Sequence, residues 1–511
     1  MKASGYGDDV VGETVGTRRA LRHDGARPRI GTQAREGAAD GGRVKVRNWR
    51  GWGNRWSWMM GVGAMLGGSV GPWAADPKVP WRVDTALRLP DWVEISGEHR
   101  SRYETLDGQF RLGREGSDQA YAMRTLLLTQ FKAEPGRAVV ELMDARQYLS
   151  DAGSPIDTTM VNALDVLQAY ARWDAGDLLP GGTNTIRVGR ETLDLGNRRL
   201  VARNAYRNTI NAFTGIDWLW EADGGGWVRG FYFLPVRRLP EDRTSLLDND
   251  IVLDSQTFDT QFGGAYGEVP GLPWGLRLEA YYLYLHDEPS IRTRARDLHT
   301  PGFRLFREPK AGHWDFEVES TFQAGSSQER ILPGAPSLDH FAYFQHGGVG
   351  YTFDVRWKPR FGVRYDYASG DPRPGDSENG RFDTLYGARR FEFGPTGIYG
   401  AVARANLNSP EYGLSFRPWK TIEVGVSHRF LWLAESRDAW TAAGLVDPSG
   451  NAGSEIGHQL EVRLRWNAMP GNVRFDTGYT HLFAGDFIGE APGSAAKGDV
   501  RYAYVEATLQ F

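Results

Sequence analysis

After residue 92, the chain repeats segments of about ten residues in which apolar and polar side chains alternate. In residues 358–368, for example, Phe361, Val363 and Tyr365 alternate with Arg, Gly and Asp. Successive side chains of a β-strand point to opposite faces of the sheet, so this pattern predicts strands. The same alternation is clear in residues 274–285, 421–433, 459–466 and 504–511.

One stretch of the chain, residues 56–70, is apolar enough to suggest a helix. It is interrupted by Gly61, Gly63, Gly67 and Gly68, and it is shorter than the roughly 20 residues that a helical membrane span needs. A helix-bundle membrane protein is therefore excluded. The chain has no Cys, which also excludes a disulfide scaffold, a zinc ribbon and a thiol nucleophile.

The environment of the two strand faces distinguishes a soluble sandwich from a membrane barrel. In the alternating segments the polar face carries charges of both signs and glycine, as in the lining of a wide, water-filled lumen. The apolar face ends in Tyr, Trp and Phe, as in an interfacial girdle. Because lipid cannot pair the amides of an open sheet edge, we predict an all-β fold, a transmembrane antiparallel β-barrel.

The spacing of the alternating segments predicts about eighteen strands, with residues 401–405 the most doubtful one. Tight turns and long polar loops alternate between the strands. We therefore expect residues 76–511 to form a single barrel, with short turns in the periplasm and long loops outside the cell. The predicted turns are 134–136, 223–226, 270–273 and 469–471, and the predicted long loops are 106–119, 236–255, 371–394, 434–456 and 485–499.

The first 75 residues differ in composition from the rest. They hold 12 Lys and Arg against 6 Asp and Glu, which leaves 48 against 58, a net charge of −10, in residues 76–511. Residues 1–45 show no hydrophobic period, and we interpret them as a disordered or mis-assigned upstream leader. Residues 46–75 combine basic residues, a short apolar core and small residues near Ala75, which predicts a secretory signal peptide.

Four stretches carry a resemblance to a known family. Residues 189–200 read GRETLDLGNRRL, and residues 141–148 read ELMDARQY. Residues 365–371 read YDYASGD, followed by RFDTLY, and HRFLWLA is followed by DAW. In this order and spacing the stretches resemble motifs of the bacterial alginate-export outer-membrane family. The chain departs from the family pattern at Glu191, where Gln is usual.

The resemblance implies localisation in the bacterial outer membrane and an eighteen-stranded barrel that carries alginate, a polyuronate, through an arginine-rich constriction. We therefore expect facilitated diffusion of an anionic polysaccharide or oligosaccharide, or of a related anionic solute. Other expected partners are outer-membrane lipid and lipopolysaccharide, a periplasmic secretion component, and the barrel-assembly machinery, through the last strand ending at Phe511. No nucleic-acid partner and no cofactor are expected.

Arginine suits a passage for a polyuronate because its planar guanidinium binds carboxylate through two hydrogen bonds and stays charged. Alternation along the strands selects most of the candidates, and the resemblance adds Arg190. Each candidate has an alternative role as one half of an ion pair that stiffens the barrel wall. The candidate lumen residues are Arg100, Arg102, Arg124, Asp144, Arg146, Arg190, Arg360, Arg364, Asp366, Arg463 and Arg465.

Two other functions remain open at this point. One is a porin that takes up anionic or general solutes, and the other is a barrel enzyme that acts on envelope lipid or glycan. The chain contains neither a Gly-x-Ser-x-Gly elbow nor a His-Glu-x-x-His motif, so no catalytic residue is assigned. Residues 248–250 and 371–376 suit solvated acidic loops better than calcium sites, so no metal site is assigned either.

Overall fold

The structure is a computed structural model that describes residues 80–176, 178–290, 293–496 and 498–511. The predicted upstream leader and signal peptide lie outside these residues. Within the described ranges, no helix is long and apolar enough to cross a membrane.

The described residues form nineteen strands, and eighteen of them make one closed antiparallel barrel. The strands are β1 (Val93–Asp107), β2 (Asp118–Ala133), β3 (Gly136–Tyr148), β4 (Asn162–Asp174), β5 (Gly182–Glu191), β6 (Phe213–Ala222), β7 (Trp227–Pro235), β8 (Thr260–Leu272), β9 (Leu276–Asp287), β10 (Arg296–Arg307), β11 (His313–Gln328), β12 (Ser337–Thr352), β13 (Arg360–Ala368), β14 (Glu378–Asn379), β15 (Leu407–Trp419), β16 (Ile422–Trp432), β17 (Glu455–Met469), β18 (Val473–Ala484) and β19 (Val500–Gln510).

The barrel closes because β1 pairs with β2 on one side and with β19 on the other. The two-residue strand β14 lies in a loop and pairs in parallel with β12. The predicted eighteen-strand barrel is confirmed. Residues 401–405, doubtful as a strand, belong to a loop.

Short turns and long loops alternate along the chain, so one end of the barrel carries the short turns and the other the long loops. The short-turn end includes the residues around Pro135, Gly225 and Gly471, as predicted. The few helices in the described residues are short and lie in these connections or before β1. They are α1 (Val83–Leu87), α2 (Arg243–Asp248), α3 (Arg390–Phe393), α4 (Asp486–Glu490) and the 3-10 helix Pro273–Gly275.

The barrel wall is mostly apolar outside and charged inside. In β13, Phe361 and Val363 are exposed on the outer face, whereas Arg360 points inward and donates from Nε to Asp315 of β11 at 3.0 Å. The alternation predicted for β9, β13, β17 and β19 is confirmed by their burial, whereas in β16 both faces are half-buried from Ile422 to His428. This polarity is the reverse of that of a soluble protein and suits a barrel surrounded by lipid.

Two long loops fold into the lumen: residues 192–212, between β5 and β6, and residues 369–406, between β13 and β15. They are joined by a bridge between Val201 and Tyr386, and Tyr386 N donates to Leu200 O at 2.9 Å. Most of their side chains are buried. We call the two loops together the plug, because they fill much of the interior with protein.

Aromatic side chains explain why the plug packs against the wall of β6 to β8. Phe213, Phe233 and Phe262 are fully buried on the inner face. The ring of Tyr386, from the plug, lies 5.1 Å from the rings of both Phe213 and Phe262 in edge-to-face contact. Burial of such rings contributes apolar area together with a favourable ring geometry. The inner wall is therefore apolar where the plug touches it.

Candidate functional site in the barrel interior

Three predicted lumen arginines hold the first loop of the plug. Arg100 and Arg124 both donate to the carbonyl oxygen of Ala205, at 2.8 and 2.6 Å, and Arg102 donates to Tyr206 O at 2.8 Å. Each arginine is at most 2% exposed. Because a loop leaves backbone carbonyls without partners, buried guanidinium groups that bind them fix the loop to β1 and β2. These arginines anchor the plug and are closed to a solute.

The second loop of the plug is fixed through Glu392 of α3. Arg199, from the first loop, donates from Nε to Glu392 Oε1 at 2.6 Å, and Arg404 donates to Glu392 Oε2 at 2.6 Å. All three side chains are buried. Glu392 therefore joins the two loops to each other as well as stabilising its own loop, and we call this contact the Glu392 latch.

A buried histidine lies beside the Glu392 latch. His346 Nδ1 is 2.7 Å from Asp366 Oδ1 and 3.9 Å from Glu392 Oε1, and the ligand atoms of the three residues all lie within 4.8 Å of one another. Arg429 donates to Asp366 Oδ2 at 2.9 Å. Guanidinium groups already bind both carboxylates. His346, Asp366 and Glu392 are therefore part of an ion-pair network with the neighbouring arginines. Asp366, a predicted lumen residue, is fully buried within it.

A cavity of about 550 Å³ lies toward the short-turn end of the barrel. Predicted residues Arg364, Arg463 and Arg465 line it, and their side chains are 24%, 14% and 11% exposed. Arg364 pairs with Glu411, and the other two pair with Asp476. These arginines hold their positions through carboxylates on the wall and remain partly open to the lumen.

Arg390 connects this cavity to a second one of about 320 Å³. Both cavities are lined by Arg390 and Phe391 of α3, and the second also by Arg198, Arg203 and Tyr206. Arg390 donates to Tyr504 Oη at 3.0 Å and pairs with Glu461 at 2.7 Å. The two cavities therefore meet at an arginine of the plug that alternation along strands could not have found.

Four arginines of the long loops form a group with few carboxylates. Arg111, Arg207, Arg238 and Arg389 come from four different loops, and Asp157 is the acidic residue that acts on all four. None of the four forms an ion pair with the described residues, and each is partly exposed. We call this group the loop arginine cluster.

Charge repulsion within the loop arginine cluster is visible at Arg207. Burial, together with the nearby guanidinium groups of Arg389 and Arg238, lowers the pKa of Arg207 to about 9, whereas Asp157 opposes this change. The guanidinium of Arg207 makes no hydrogen bond with any residue that the structure describes. At neutral pH it is still protonated, so the four arginines carry more positive charge than their nearby carboxylates, chiefly Asp157, balance.

The structure places the eleven predicted residues in two groups. Eight point inward: Arg100, Arg102, Arg124, Arg360, Arg364, Asp366, Arg463 and Arg465.

Asp144 and Arg146 do not line the lumen. They share the outer face of β3 with Val140 and Leu142, while Met143 points inward. Their placement in the lumen was wrong because Met143 and Ala145, and not their neighbours Asp144 and Arg146, face the interior, where they pack in a cluster with Ile210 and Ala212 of the first loop of the plug. Alternation shows which residues share a face and not which face meets water.

Arg190 also lies on the outer face, together with Val188. Its guanidinium donates to Val166 O at 2.9 Å and to Gln256 Oε1 at 2.7 Å, near the long-loop end of β5. It therefore contacts the loop of residues 236–259 and not the lumen.

The arginines of the loop arginine cluster were missed by the sequence analysis because a loop that folds inward leaves no hydrophobic period in the sequence.

Comparison with known proteins agrees with this architecture. A family model described as alginate export matches residues 91–500. No curated protein matches the chain significantly.

Several solved outer-membrane porins are similar in fold. OpdK from Pseudomonas aeruginosa aligns with a TM-score of 0.52 and 11% identity over 82% of this chain and 99% of that chain. A BenF-like porin from Pseudomonas fluorescens Pf-5 gives a TM-score of 0.53 and 10% identity over the same shares of the two chains. OccD3 (OpdP) from Pseudomonas aeruginosa gives 0.51 and 11%, over 82% of this chain and 91% of that chain. At these identities the similarity shows the fold alone.

Proposed function

Because the chain belongs to the alginate-export family of bacterial outer-membrane proteins, we propose that this outer-membrane channel passes an anionic polysaccharide of the polyuronate type by facilitated diffusion. The observation that carries this proposal is the loop arginine cluster. Its four guanidinium groups have Asp157 as their shared acidic neighbour, and the Arg207 guanidinium makes no hydrogen bond with the described residues. A carboxylate on each sugar of the polymer supplies the missing partner.

The proposed path runs from the loop arginine cluster to the arginines of the short-turn end. Arg390 lies between the two cavities, and Arg364, Arg463 and Arg465 line the cavity toward the short-turn end, which we call the lower cavity. Each of these is already paired with a wall carboxylate, so a uronate there exchanges one carboxylate for another. Such weak, repeated sites allow a polyanion to move on, whereas a single tight site would hold it.

The orientation and the leader are part of the same proposal. The long loops lie outside the cell, the short turns lie in the periplasm, and residues 46–75 direct export before removal. Where β1 and β19 close the barrel, Gly97 N donates to Phe511 O at 3.0 Å. Phe511 follows the last strand, which the barrel-assembly machinery is expected to bind. A polymer meets the loop arginine cluster on one side of the plug and the lower cavity on the other.

Uptake of a small anionic solute is the second candidate function. Both cavities are lined by arginines, which can bind the carboxylate of a small acid as well as that of a polymer. A polymer needs the plug to move, whereas a small acid needs less displacement. The same bilayer experiment distinguishes the two functions.

The test is conductance of the purified protein in planar bilayers. We expect anion-selective current that is blocked by oligouronates and not by neutral oligosaccharides of equal length. The double variant Arg207→Gln/Arg389→Gln is expected to weaken the block roughly tenfold or more, because each charged hydrogen bond contributes about 1.5–3 kcal/mol.

The matched control is Arg330→Gln, an exposed loop arginine outside the cluster. Block by small carboxylates but not by oligouronates favours uptake of small solutes. Equal block by neutral sugars, or an unchanged block in the double variant, contradicts the polyuronate proposal. Turnover of envelope lipid or glycan by the same preparation would favour the barrel-enzyme alternative.

A further inference from the structure

The outer face of β1 and β2 carries a serine, a histidine and a threonine in hydrogen-bond contact. His99 and Ser101 are two residues apart on β1, so their side chains leave the same face of the strand. Thr125 of β2 lies directly opposite His99. His99 Nε2 is 3.1 Å from Ser101 Oγ, and His99 Nδ1 is 2.9 Å from Thr125 Oγ1. We call these three residues the outer triad.

The order of these contacts is that of an activated nucleophile. With its proton on Nδ1, the His99 imidazole donates to Thr125 Oγ1, and its Nε2 accepts from the Ser101 hydroxyl. A serine bonded to a histidine whose other nitrogen is held by a third group is a nucleophile and base that recur on unrelated folds. A neutral third group suits the lipid-facing surface, where a carboxylate would be costly.

A fourth side chain places a donor beside the nucleophile. Tyr121 of β2 lies diagonally across from Ser101, and its hydroxyl donates to Ser101 Oγ at 3.3 Å. When a serine oxygen bonds to a carbonyl carbon, negative charge moves to the carbonyl oxygen, and a tyrosine hydroxyl can stabilise it there. The outer face therefore holds a nucleophile, a base and an oxyanion donor together. No short motif contains these residues, so the sequence alone could not reveal them.

The depth of the outer triad in the wall indicates its substrate. Tyr103, Tyr121 and Tyr148 lie side by side across β1, β2 and β3 near the long-loop end, as in an interfacial girdle. Ser101 follows Tyr103 toward the middle of the wall, about 6–7 Å along the strand, and Leu127 lies further in. The nucleophile is therefore between the interface and the hydrocarbon, where the ester bonds of membrane lipids lie.

A membrane lipid can reach the outer triad without entering the barrel. His99, Ser101 and Thr125 are half-buried on the face turned away from the lumen. Arg146 lies in the same row as Ser101, two strands and about 10 Å away. Among the described residues it donates only from Nε, to Asp144, so its two terminal nitrogens remain open to the phosphate of a lipid.

We propose that the outer triad hydrolyses an acyl ester of a membrane lipid. Ser101 Oγ bonds to the ester carbonyl carbon while its proton passes to His99 Nε2, and Tyr121 donates to the oxyanion. The bond to the alcohol oxygen then breaks, His99 returns the proton to that oxygen, and an acyl-serine remains. Water attacks the acyl carbon and gives a proton to His99. The bond to Ser101 breaks, Ser101 takes this proton, and a fatty acid leaves.

This activity is separate from the passage inside the barrel. His99 and Ser101 face outward, whereas Arg100 and Arg102 of the same strand face inward and hold the plug. Either proposal can therefore fail without the other. Lipid hydrolysis by a protein that keeps its oligouronate block gives the barrel two activities, whereas hydrolysis without that block is the barrel-enzyme alternative.

Release of fatty acid tests the hydrolysis. The purified protein in detergent micelles is mixed with a diacyl phospholipid and, in a parallel sample, with an acylated phosphoglycolipid. We expect fatty acid from at least one of them, which identifies the source of the ester. Ser101→Ala and His99→Ala should each lower the rate roughly a hundredfold or more. The matched controls are Ser320→Ala on β11 and His428→Ala on β16, both outward residues, and these should keep the parent rate.

A fluorophosphonate tests the nucleophile without turnover, because an activated serine oxygen bonds to its phosphorus and releases fluoride. We expect one label per chain, on Ser101, and labelling slower by roughly tenfold or more in His99→Ala. Thr125 is a positioning residue. Thr125→Val should slow labelling roughly tenfold, about the value of one hydrogen bond, whereas Thr125→Ser keeps the hydroxyl and should restore the rate. Single-channel conductance equal to that of the parent shows that each variant is folded.

Any one of three results would overturn the proposal. The first is no fatty acid from either lipid, and the second is a release that Ser101→Ala leaves unchanged. The third is a fluorophosphonate label that does not attach to Ser101. Equal labelling rates in Thr125→Val and Thr125→Ser would remove Thr125 from the site.

Discussion

At the scale of single residues, the arginines inside the barrel differ by their partners and not by their number. Arg100, Arg102 and Arg124 donate their hydrogen bonds to backbone carbonyls of the plug and to carboxylates of the wall, so they hold the plug in place. Arg207 has no such partner among the described residues. An arginine is therefore a candidate for binding a solute only when some of its N–H donors, or part of its charge, are not satisfied by protein partners.

Asp254 gives a prediction for pH. Burial, and then the nearby Asp165 carboxylate, raises the pKa of Asp254 to about 6. Because this pKa lies above its ordinary value, docking of the loop of residues 236–259 is favoured at low pH and weakens as pH rises through about 6. A dye at Ile251→Cys, an exposed position, should show higher anisotropy at pH 5 than at pH 8.

The variants for this experiment are close matches. Asp254→Asn keeps the shape of the side chain without its charge, so the anisotropy should stay high at both pH values. Asp250→Asn, an exposed acid of the same loop, should keep the pH dependence of the parent. A parent protein whose anisotropy is equal at pH 5 and pH 8 would contradict the prediction.

At the scale of elements, the strands and the short turns could be predicted from the sequence, and the plug could not. Strands such as β13 and β17 carry a local signal, since each residue's neighbours at i±2 share its face. Phe391, Phe393 and Ile398 are buried in the plug without any period, because their partners lie far away in the chain. The error at Asp144 and Arg146 has the same cause, since only the plug makes the interior apolar beside β3.

The Glu392 latch gives a prediction at this scale. Glu392→Gln leaves Arg404 buried without its carboxylate partner and removes one of the three carboxylates of Arg199, which keeps Glu317 and Glu319. Breaking a buried pair of this kind costs about 3–5 kcal/mol. The two loops of the plug should separate more often, so single-channel recordings should show larger and more frequent conductance steps. Glu378→Gln is the control, because Glu378 lies in the same loop and is 66% exposed. Identical records for both variants would show that the latch does not hold the plug.

At the scale of the whole molecule, net charge says little about the passage. Residues 76–511 carry −10 in total. Inside the barrel, many acids pair with one or more arginines, as Asp315 does with Arg360 and Glu411 with Arg364 and Arg429. The remaining local excess of positive charge lies at the loop arginine cluster, and a summed charge cannot report it.

Ionic strength tests this local view. The Debye length falls from about 10 Å at 0.1 M salt to about 3 Å at 1 M. If oligouronate block arises from the loop arginine cluster, the block should weaken roughly tenfold or more over this range, because several exposed charges act together. Any block by a neutral oligosaccharide of the same length should change little. A salt-independent oligouronate block would contradict an electrostatic origin.

The bridge between Val201 and Tyr386 also says something about the order in which the molecule is made. Its two residues are separated by eight barrel strands, and Glu392 has its partner Arg199 across the same strands. Closing so long a loop is entropically costly until the strands between have paired. We therefore expect the contact between the two loops to form late in folding, after the wall has closed around a lumen that the plug does not yet fill.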